Sequence, residues 1–166
     1  MLGSGVETLY FDVLQFLYHL ALAVLVGGSA VLGAAVAPAV FATARSRSEA
    51  GTIFGATLGR FDSVAILALI VLAATSFLKA TSFEVTGVPE TRLLVRWAAL
   101  VLLGLATLYS SAWANPVARS IRASTPGFDD LPPSAPARVE FAKMHAGSRR
   151  AMSVAVLVGL VVLFLS

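Results

Sequence analysis

Cysteine is absent from this 166-residue sequence, and histidine occurs only twice. The absence of thiols excludes disulfide bonds, thiolate metal sites, iron–sulfur clusters and a cysteine nucleophile. Any metal would have to be bound by histidine, carboxylate or carbonyl ligands. The apolar segments contain no Ser/His/Asp or HExxH arrangement and no paired carboxylates at helical spacing. The sequence therefore argues against enzymatic activity but does not exclude it.

Charged residues are also scarce, at 13% of the chain, whereas hydrophobic residues make up 58%. Soluble domains contain roughly 45–50% apolar residues, and the mean hydropathy here is +0.87. These values predict an integral membrane protein with membrane lipids as partners. The formal net charge of +3 does not indicate a nucleic-acid partner, because the basic residues are spread among short loops between apolar runs.

Four segments provide or approach the roughly 20 apolar residues that a helix needs to cross a bilayer. The predicted fold is all-α, an integral membrane four-helix bundle in a single transmembrane domain of residues 1–166, with helices one and three long and the loops short. We expect the spans at about residues 11–41, 47–79, 92–116 and 137–165. Ser46 and Glu49 form an S-x-x-E capping box, which predicts the start of the second helix.

The two halves of the chain resemble each other. Ala37-Pro38 ends the first apolar span and Asn115-Pro116 ends the third. Each pair is followed by a basic stretch, a phenylalanine and a similar apolar run, which begins at Ser63 in one half and at Ser153 in the other. This pattern predicts an internal repeat, a duplicated two-helix unit with parallel topology.

Basic residues in the loops predict the orientation, because Lys and Arg resist translocation across the membrane. Most of them fall in two loops: Arg45, Arg47, Arg60, Arg119, Arg122, Arg138, Lys143, Arg149 and Arg150. We therefore expect both termini outside and residues 42–60 and 117–150 in the cytoplasm, in a prokaryotic plasma membrane. No Lys or Arg precedes the first apolar run, so that run lacks the basic region of a secretory signal and is expected to be retained.

His19 is the first of two polar centres that we consider. Counting 100° per residue places it on one side of the first helix with Asp12, Gln15, Ala23, Val26, Ala30, Gly33, Ala34 and Ala37. The opposite side carries Leu14, Leu17, Val24, Leu25, Val31 and Leu32. Because small residues mark helix–helix interfaces in lipid, the small-residue side is expected to face the bundle.

Span three has a polar side that is also expected to face inward, with Arg92, Arg96, Thr107, Ser110, Ser111 and Ala114. Asp12, Gln15, His19 and Arg96 are therefore candidates for an outer-half site that binds a ligand or handles a proton. Three roles for His19 stay open: a hydrogen bond between helices, ligation of haem or metal, and a proton or ion handle. For Arg96 the alternatives are an ion pair with Asp12, snorkelling to the interface, and ligand binding.

The second polar centre lies toward the expected cytoplasmic side, with Arg60, Asp62, Asn115, His145 and Arg149. His145 and Arg149 are four residues apart and share a helix face. Their basic surroundings predict contact with anionic lipid headgroups, with a phosphate or other anionic ligand as the alternative. Arg60 and Asp62 are expected to pair across helices with Arg149 or Asn115. The two histidines should differ in depth by on the order of 20 Å, so they cannot bind one ion.

Several motifs resemble a known family of membrane proteins. They are Tyr18-His19-Leu20, Gly27-Gly28, Val36-Ala37-Pro38-Ala39-Val40-Phe41, Gly59-Arg60-Phe61, Asn115-Pro116 with Arg119 and Arg122, and Phe141-Ala142-Lys143-Met144-His145-Ala146-Gly147-Ser148. In this order they resemble the transmembrane protein 205 family, which is also catalogued in bacteria as a domain of unknown function. The resemblance implies four transmembrane helices, a link to platinum-drug resistance in animals, and no established catalytic residues.

A histidine followed by a glycine pair in the first span is also similar to copper-resistance membrane proteins and to the haem-binding four-helix protoporphyrinogen oxidase family. The latter resemblance implies His19 as an axial ligand of haem b, although Arg96 stands where a Lys or second His would be expected in span three. Two hypotheses follow. The first is a non-enzymatic membrane protein that acts by assembly, as a homo-oligomer or as a subunit of a larger complex, in metal or drug tolerance or transport. The alternative is a haem- or metal-binding protein with His19 as ligand.

Overall fold

The computed structural model describes residues 2–85 and 87–166 of the chain. This part contains four long helices and no strand, which confirms the all-α prediction. The helices are α1 (Gly5–Thr43), α2 (Arg47–Glu84), α3 (Thr91–Ser124) and α4 (Pro136–Leu165). The shortest has 30 residues and is therefore about 45 Å long, enough to cross a hydrocarbon core of about 30 Å. The chain thus has four helices that are long and apolar enough to span a membrane.

The helices run alternately up and down. Gln15 near the start of α1 contacts Lys79 near the end of α2, and Arg92 at the start of α3 lies 3.4 Å from the carbonyl of Phe164 at the end of α4. We call this the termini end of the bundle. The opposite, loop end carries the α1–α2 connection and the longer α3–α4 connection, in which Phe128–Asp130 forms a short 3₁₀ turn.

The predicted capping box at the start of α2 is confirmed. The side chain of Ser46 accepts a hydrogen bond from the backbone N–H of Glu49 at 3.1 Å. In return, the Glu49 carboxylate accepts from the N–H of Arg45 at 2.8 Å. These bonds satisfy amides that have no partner within the helix, and they fix its start at Arg47.

Pro38 and Pro116, the two prolines in the interior of long helices, each follow a widened, π-helical stretch. In α1 the stretch Leu32–Val36 precedes Pro38, and in α3 the stretch Leu108–Ala114 precedes Pro116. Proline lacks an N–H group, and its ring crowds the carbonyl four residues earlier. That carbonyl belongs to a residue of the widened stretch in each helix, so the wide turn accommodates the proline without ending the helix.

The buried centre of the bundle is apolar and receives side chains from all four helices. Large side chains of α1 oppose small ones of α2, so that the layers interdigitate. The cluster consists of Tyr18, Ala21, Leu22, Leu25, Ala65, Ala68, Leu72, Leu103, Ala106, Ala155 and Val162.

The buried face of α1 differs from the one predicted. Leu14, Leu25 and Leu32, which were expected to face lipid, are buried. Most of the small residues that were expected to pack against neighbouring helices are exposed, namely Ala23, Ala30, Gly33 and Ala34. The prediction for this helix was wrong because leucines and Tyr18 fill the centre of the bundle, which leaves the small-residue side unpacked.

The predicted inward face of α3 agrees better with the structure. Five of its six members are buried: Arg96, Thr107, Ser110, Ser111 and Ala114. Arg92, the remaining member, is exposed at the termini end. Polar side chains were therefore the more reliable guide to burial, since an unsatisfied polar group is costly in lipid.

Close packing of α1 against α4 depends on Gly159. A Cβ atom at this position would lie well inside the van der Waals radius of a Val26 methyl group, whereas a Cβ at Gly27 would meet nothing within 4 Å. Valine has a stiff side chain and Val26 is buried. We therefore expect Gly159→Ala to destabilise the fold by about 1–3 kcal/mol through overpacking.

The matched control for Gly159→Ala is Gly27→Ala. It should be neutral or slightly stabilising, because alanine favours helix over glycine by about 1 kcal/mol. Thermal unfolding of the two variants in one detergent measures the difference. Equal midpoints would contradict the proposed close contact.

Candidate functional site

A network of buried polar side chains joins three helices toward the loop end. Asp62 of α2 accepts hydrogen bonds from Asn115 at 2.8 Å and from Arg119 at 2.6 Å. The amide oxygen of Asn115 accepts from Ser148 of α4. Ser148 also bonds to the Ser110 hydroxyl at 2.9 Å. We call these five residues the Asp62 network, and it satisfies the polar groups that α2, α3 and α4 bury at this depth.

The Asp62–Asn115 pair is one of the two contacts across helices that were predicted for Asp62, and the alternative partner, Arg149, forms no ion pair in the described part of the chain. Arg60 is exposed and takes no part in this contact. Arg119 supplies the positive charge instead, and sequence reasoning did not include it in this centre. Its position four residues after Asn115, on the same face of α3, was the signal that could have identified it.

His145 and Arg149 line an open cleft beside the Asp62 network. The cleft has a volume of about 710 Å³ and lies between α1, the start of α2, and α4. We call it the α1–α4 cleft. Its walls include small residues of α1, two phenylalanines and one face of α4: Ser29, Ala30, Gly33, Ala37, Phe41, Phe54, Leu58, His145, Ser148, Arg149, Met152, Ser153, Val156 and Leu157.

Polarity changes along this cleft. His145 and Arg149 lie on the first half of α4, toward the loop end, and the His145 ring stacks on Phe141 at a centroid distance of 5.8 Å. Further along α4 the wall is formed by Met152, Val156 and Leu157. The cleft thus combines cationic and imidazole groups at one end with an apolar slot deeper in the membrane-spanning part.

A second polar group lies at the termini end. Lys79 bonds to Gln15 and lies 3.6 Å from the carboxylate of Glu84, which also binds Arg96 directly. The Lys79 ammonium group lies 4.5 Å from the centre of the Tyr18 ring, within the range of a cation–π interaction. We call Gln15, Tyr18, Lys79, Glu84 and Arg96 the cation cluster.

The structure separates the four predicted outer-half residues. Gln15 and Arg96 belong to the cation cluster, but the carboxylate partner of Arg96 is Glu84 rather than the expected Asp12. Asp12 is exposed, and His19 is half-buried and bonds to the Ser166 hydroxyl at 3.0 Å. The prediction of an ion pair between Arg96 and Asp12 was therefore wrong. The widened turn Ala80–Glu84 continues α2 beyond its predicted end, and this extension brings Glu84 to Arg96.

Sequence reasoning did not single out Lys79 or Glu84 as site residues. Lys79 is only 2% exposed. The signal for Lys79 was its place on the buried stripe of α2, seven residues after Leu72 and four after Thr75, both of which are buried.

His19 stands apart from the second histidine. Along α4, His145 and Ser166, the bonding partner of His19, are separated by about 30 Å. The two imidazoles therefore cannot share one ion, as expected. Among residues 2–85 and 87–166, no group of three His, Asp or Glu side chains could hold a metal ion. Haem at His19 would thus depend on a single imidazole ligand.

The His19–Ser166 pair is a hydrogen-bonded contact between two helices. Ser166 Oγ lies 3.0 Å from His19 Nε2 and 2.8 Å from the carbonyl of Leu163, and the tautomer of the imidazole decides which atom of the pair donates. The contact joins the start of α1 to the end of α4.

Glu84 holds the cation cluster together, since one carboxylate faces two buried cations. We expect Glu84→Gln to destabilise the fold by about 2–4 kcal/mol, because removing one partner of a buried ion pair leaves the other charges uncompensated. Glu90→Gln is the matched control, as Glu90 is exposed in the connection between α2 and α3. Unfolding of both variants in the same detergent tests this, and equal stability would show that Glu84 does not stabilise the cations.

Comparisons with known proteins identify the family but give no function. Neither the search of curated proteins nor the search of solved structures found a match. Residues 20–125, more than half of the chain, match the family DUF4149, described as a domain of unknown function. The matched range contains Asp62, Asn115 and Arg119 and ends before α4. This four-helix membrane protein therefore belongs to the DUF4149 family.

Proposed function

We propose that this protein is a non-enzymatic integral membrane protein that binds a single-chain amphipathic molecule with an anionic head in the α1–α4 cleft. The observation that carries the proposal is the change of polarity along that cleft, from Arg149 and His145 at one end to Val156 and Leu157 at the other. The volume of about 710 Å³ falls within the range of roughly 300–1,000 Å³ for small-molecule sites.

Charge supports an anionic head. Arg149 is exposed, and none of the ion pairs in the described part of the chain involves it. Its neighbours in the first half of α4 include Lys143 and Arg150. A free guanidinium at the mouth of an apolar slot attracts phosphate or carboxylate and pairs with it through parallel hydrogen bonds.

The basic loops support the same choice of head. We propose that the loop end faces the cytoplasm and that both termini face outside, because Lys and Arg are concentrated in residues 42–60 and 117–150. The mouth of the cleft would then open toward the cytoplasmic leaflet. That leaflet carries anionic lipids, whose attraction is worth about 1 kcal/mol per basic residue.

The small residues of α1 support binding of a chain. Ala30, Gly33 and Ala37 line the cleft, and a Cβ atom at Gly33 would meet nothing within 4 Å. An acyl or alkyl chain could therefore lie directly along the helix. Passage or tolerance of an amphipathic drug is the cellular role that such a site would serve.

Binding of lysophosphatidylglycerol and lysophosphatidylcholine with equal chains tests the proposal. We expect the purified protein to bind the anionic lipid more tightly, and Arg149→Gln to lose that preference by about tenfold, because a charge-assisted hydrogen bond contributes about 1.5–3 kcal/mol. Met152→Trp should weaken binding of both lipids by filling the slot. Native mass spectrometry in detergent measures the occupancy.

Arg150→Gln is the matched control for charge, since Arg150 is exposed, adjacent to Arg149 and does not line the cleft. It should keep the preference for the anionic lipid. An equal loss in Arg149→Gln and Arg150→Gln would show general attraction to a basic surface and contradict a defined site. Unchanged binding by Met152→Trp would also contradict it.

Assembly is a second candidate function, and one observation favours it. The exposed side of α1 carries Ala23, Gly27, Ala30 and Ala34, and such spacing of small residues allows close approach of another helix in lipid. A homo-oligomer or a larger membrane complex would cover this side. Haem is not part of either proposal.

Disulfide cross-linking tests assembly cleanly, because the natural sequence contains no cysteine. Gly27→Cys should give cross-linked dimers in oxidised membranes, since a side chain at this position meets no neighbour within 4 Å and points away from the fold. Leu67→Cys, on the exposed side of α2, is the control and should remain monomeric. Equal cross-linking of both variants would indicate random collision and contradict a specific interface.

A further inference from the structure

The cation cluster contains more positive than negative charge. Lys79 is 2% exposed and Arg96 is 6% exposed, and both use Glu84 as their carboxylate partner. Asp12, the nearest acidic residue of α1, is exposed and pairs with neither of them in the described part of the chain. One positive charge is therefore left without an anion, which is unfavourable at a buried position.

Two polar atoms in the same cluster also lack partners. Arg96 Nε and the Tyr18 hydroxyl are buried and have no hydrogen-bond partner in the described part of the chain. Buried polar atoms in native proteins are nearly always hydrogen-bonded, and an exception calls for an explanation. A ligand in contact with Arg96 would supply a partner for one of them.

An open pocket of about 390 Å³ lies beside Arg96 at the start of α3. Its charged lining consists of Glu84, Glu90, Arg92 and Arg96. Arg92 and Arg96 are four residues apart and therefore lie on one face of the helix. The first turn of α3 has no side-chain cap, so the positive end of the helix dipole adds to the attraction for an anion.

We propose that this termini-end pocket binds a small monocarboxylate between Arg92 and Arg96. A carboxylate presents two oxygens in a plane, which matches the paired N–H groups of a guanidinium. Its single charge neutralises the excess of the cation cluster. Glu84 and Glu90 on the pocket wall repel a multivalent anion such as phosphate. The proposal concerns the end of the bundle opposite to the α1–α4 cleft and does not rest on it.

Thermal unfolding of the full-length protein in detergent tests the proposal, with sodium acetate as probe and sodium phosphate as comparison at constant ionic strength. We expect acetate to raise the unfolding midpoint in a saturable way, and phosphate to give no saturable rise. Arg92→Gln should raise the acetate concentration for half-saturation by about tenfold. The variant's own midpoint without acetate is the reference for this rise, since the substitution also removes the long 3.4 Å contact of Arg92 with the Phe164 carbonyl.

Arg96→Lys keeps the charge beside Glu84 but removes the planar fork, so the folded variant should also lose acetate binding. Arg149→Gln, in the cleft, should bind acetate as the natural protein does, and this result separates the two proposed sites. The proposal is overturned if acetate gives no saturable rise, if phosphate gives an equal one, or if Arg92→Gln responds like the natural sequence.

Discussion

The structure depends on one constraint: hydrocarbon offers no hydrogen-bond partner, so each polar side chain inside the bundle must be satisfied by protein. The Asp62 network meets this constraint within the protein, whereas the cation cluster leaves Arg96 Nε and the Tyr18 hydroxyl without a hydrogen-bond partner in the described part of the chain. On α2, Asp62 and Lys79 are separated by about 25 Å. Between them lies the apolar core, with Leu22, Leu72 and Leu103. The two polar regions are therefore separate, and each faces its own opening in the bundle.

The Asp62 network links α2, α3 and α4 at a depth where α1 contributes no side-chain hydrogen bond to it. Asp62, Asn115 and Ser148 link the three helices by direct hydrogen bonds. On α1, by contrast, the exposed side carries alanine and glycine, which cannot form side-chain hydrogen bonds. The cleft opens where α1 contributes these small side chains. The open face therefore lies beside the part of α1 that carries small side chains and takes no part in the Asp62 network.

Sequence reasoning predicted the four helices, the capping box at Ser46, the buried polar face of α3 and the contact between Asp62 and Asn115. These features depend on local hydrogen bonds, on helix length and on the cost of exposing polar groups to lipid, which a single sequence reveals. The buried face of α1 could not be predicted in this way. Its two sides are both apolar, so packing against the other helices decides which one is buried.

The partner of Arg96 could not be predicted either, for a different reason. Glu84 reaches it because α2 continues through the widened turn Ala80–Glu84, and a π-helical turn changes the direction of every later side chain relative to a regular helix. A count of 100° per residue fails beyond such a turn. Lys79, which ends the regular part of α2, was not identified as a site residue, because its charge at the end of a predicted span does not by itself indicate burial.

The small residues of α1 matter for function because a cleft that opens into a bilayer does not stay empty. Acyl chains fill it by default, since an unfilled space loses the dispersion contacts of its walls. The apolar part of the cleft therefore discriminates poorly between different acyl chains. In the proposed function, selectivity would come from the polar end, where Arg149 and His145 line the cleft. A site with this division of roles would recognise its ligand by charge and hold it by its chain.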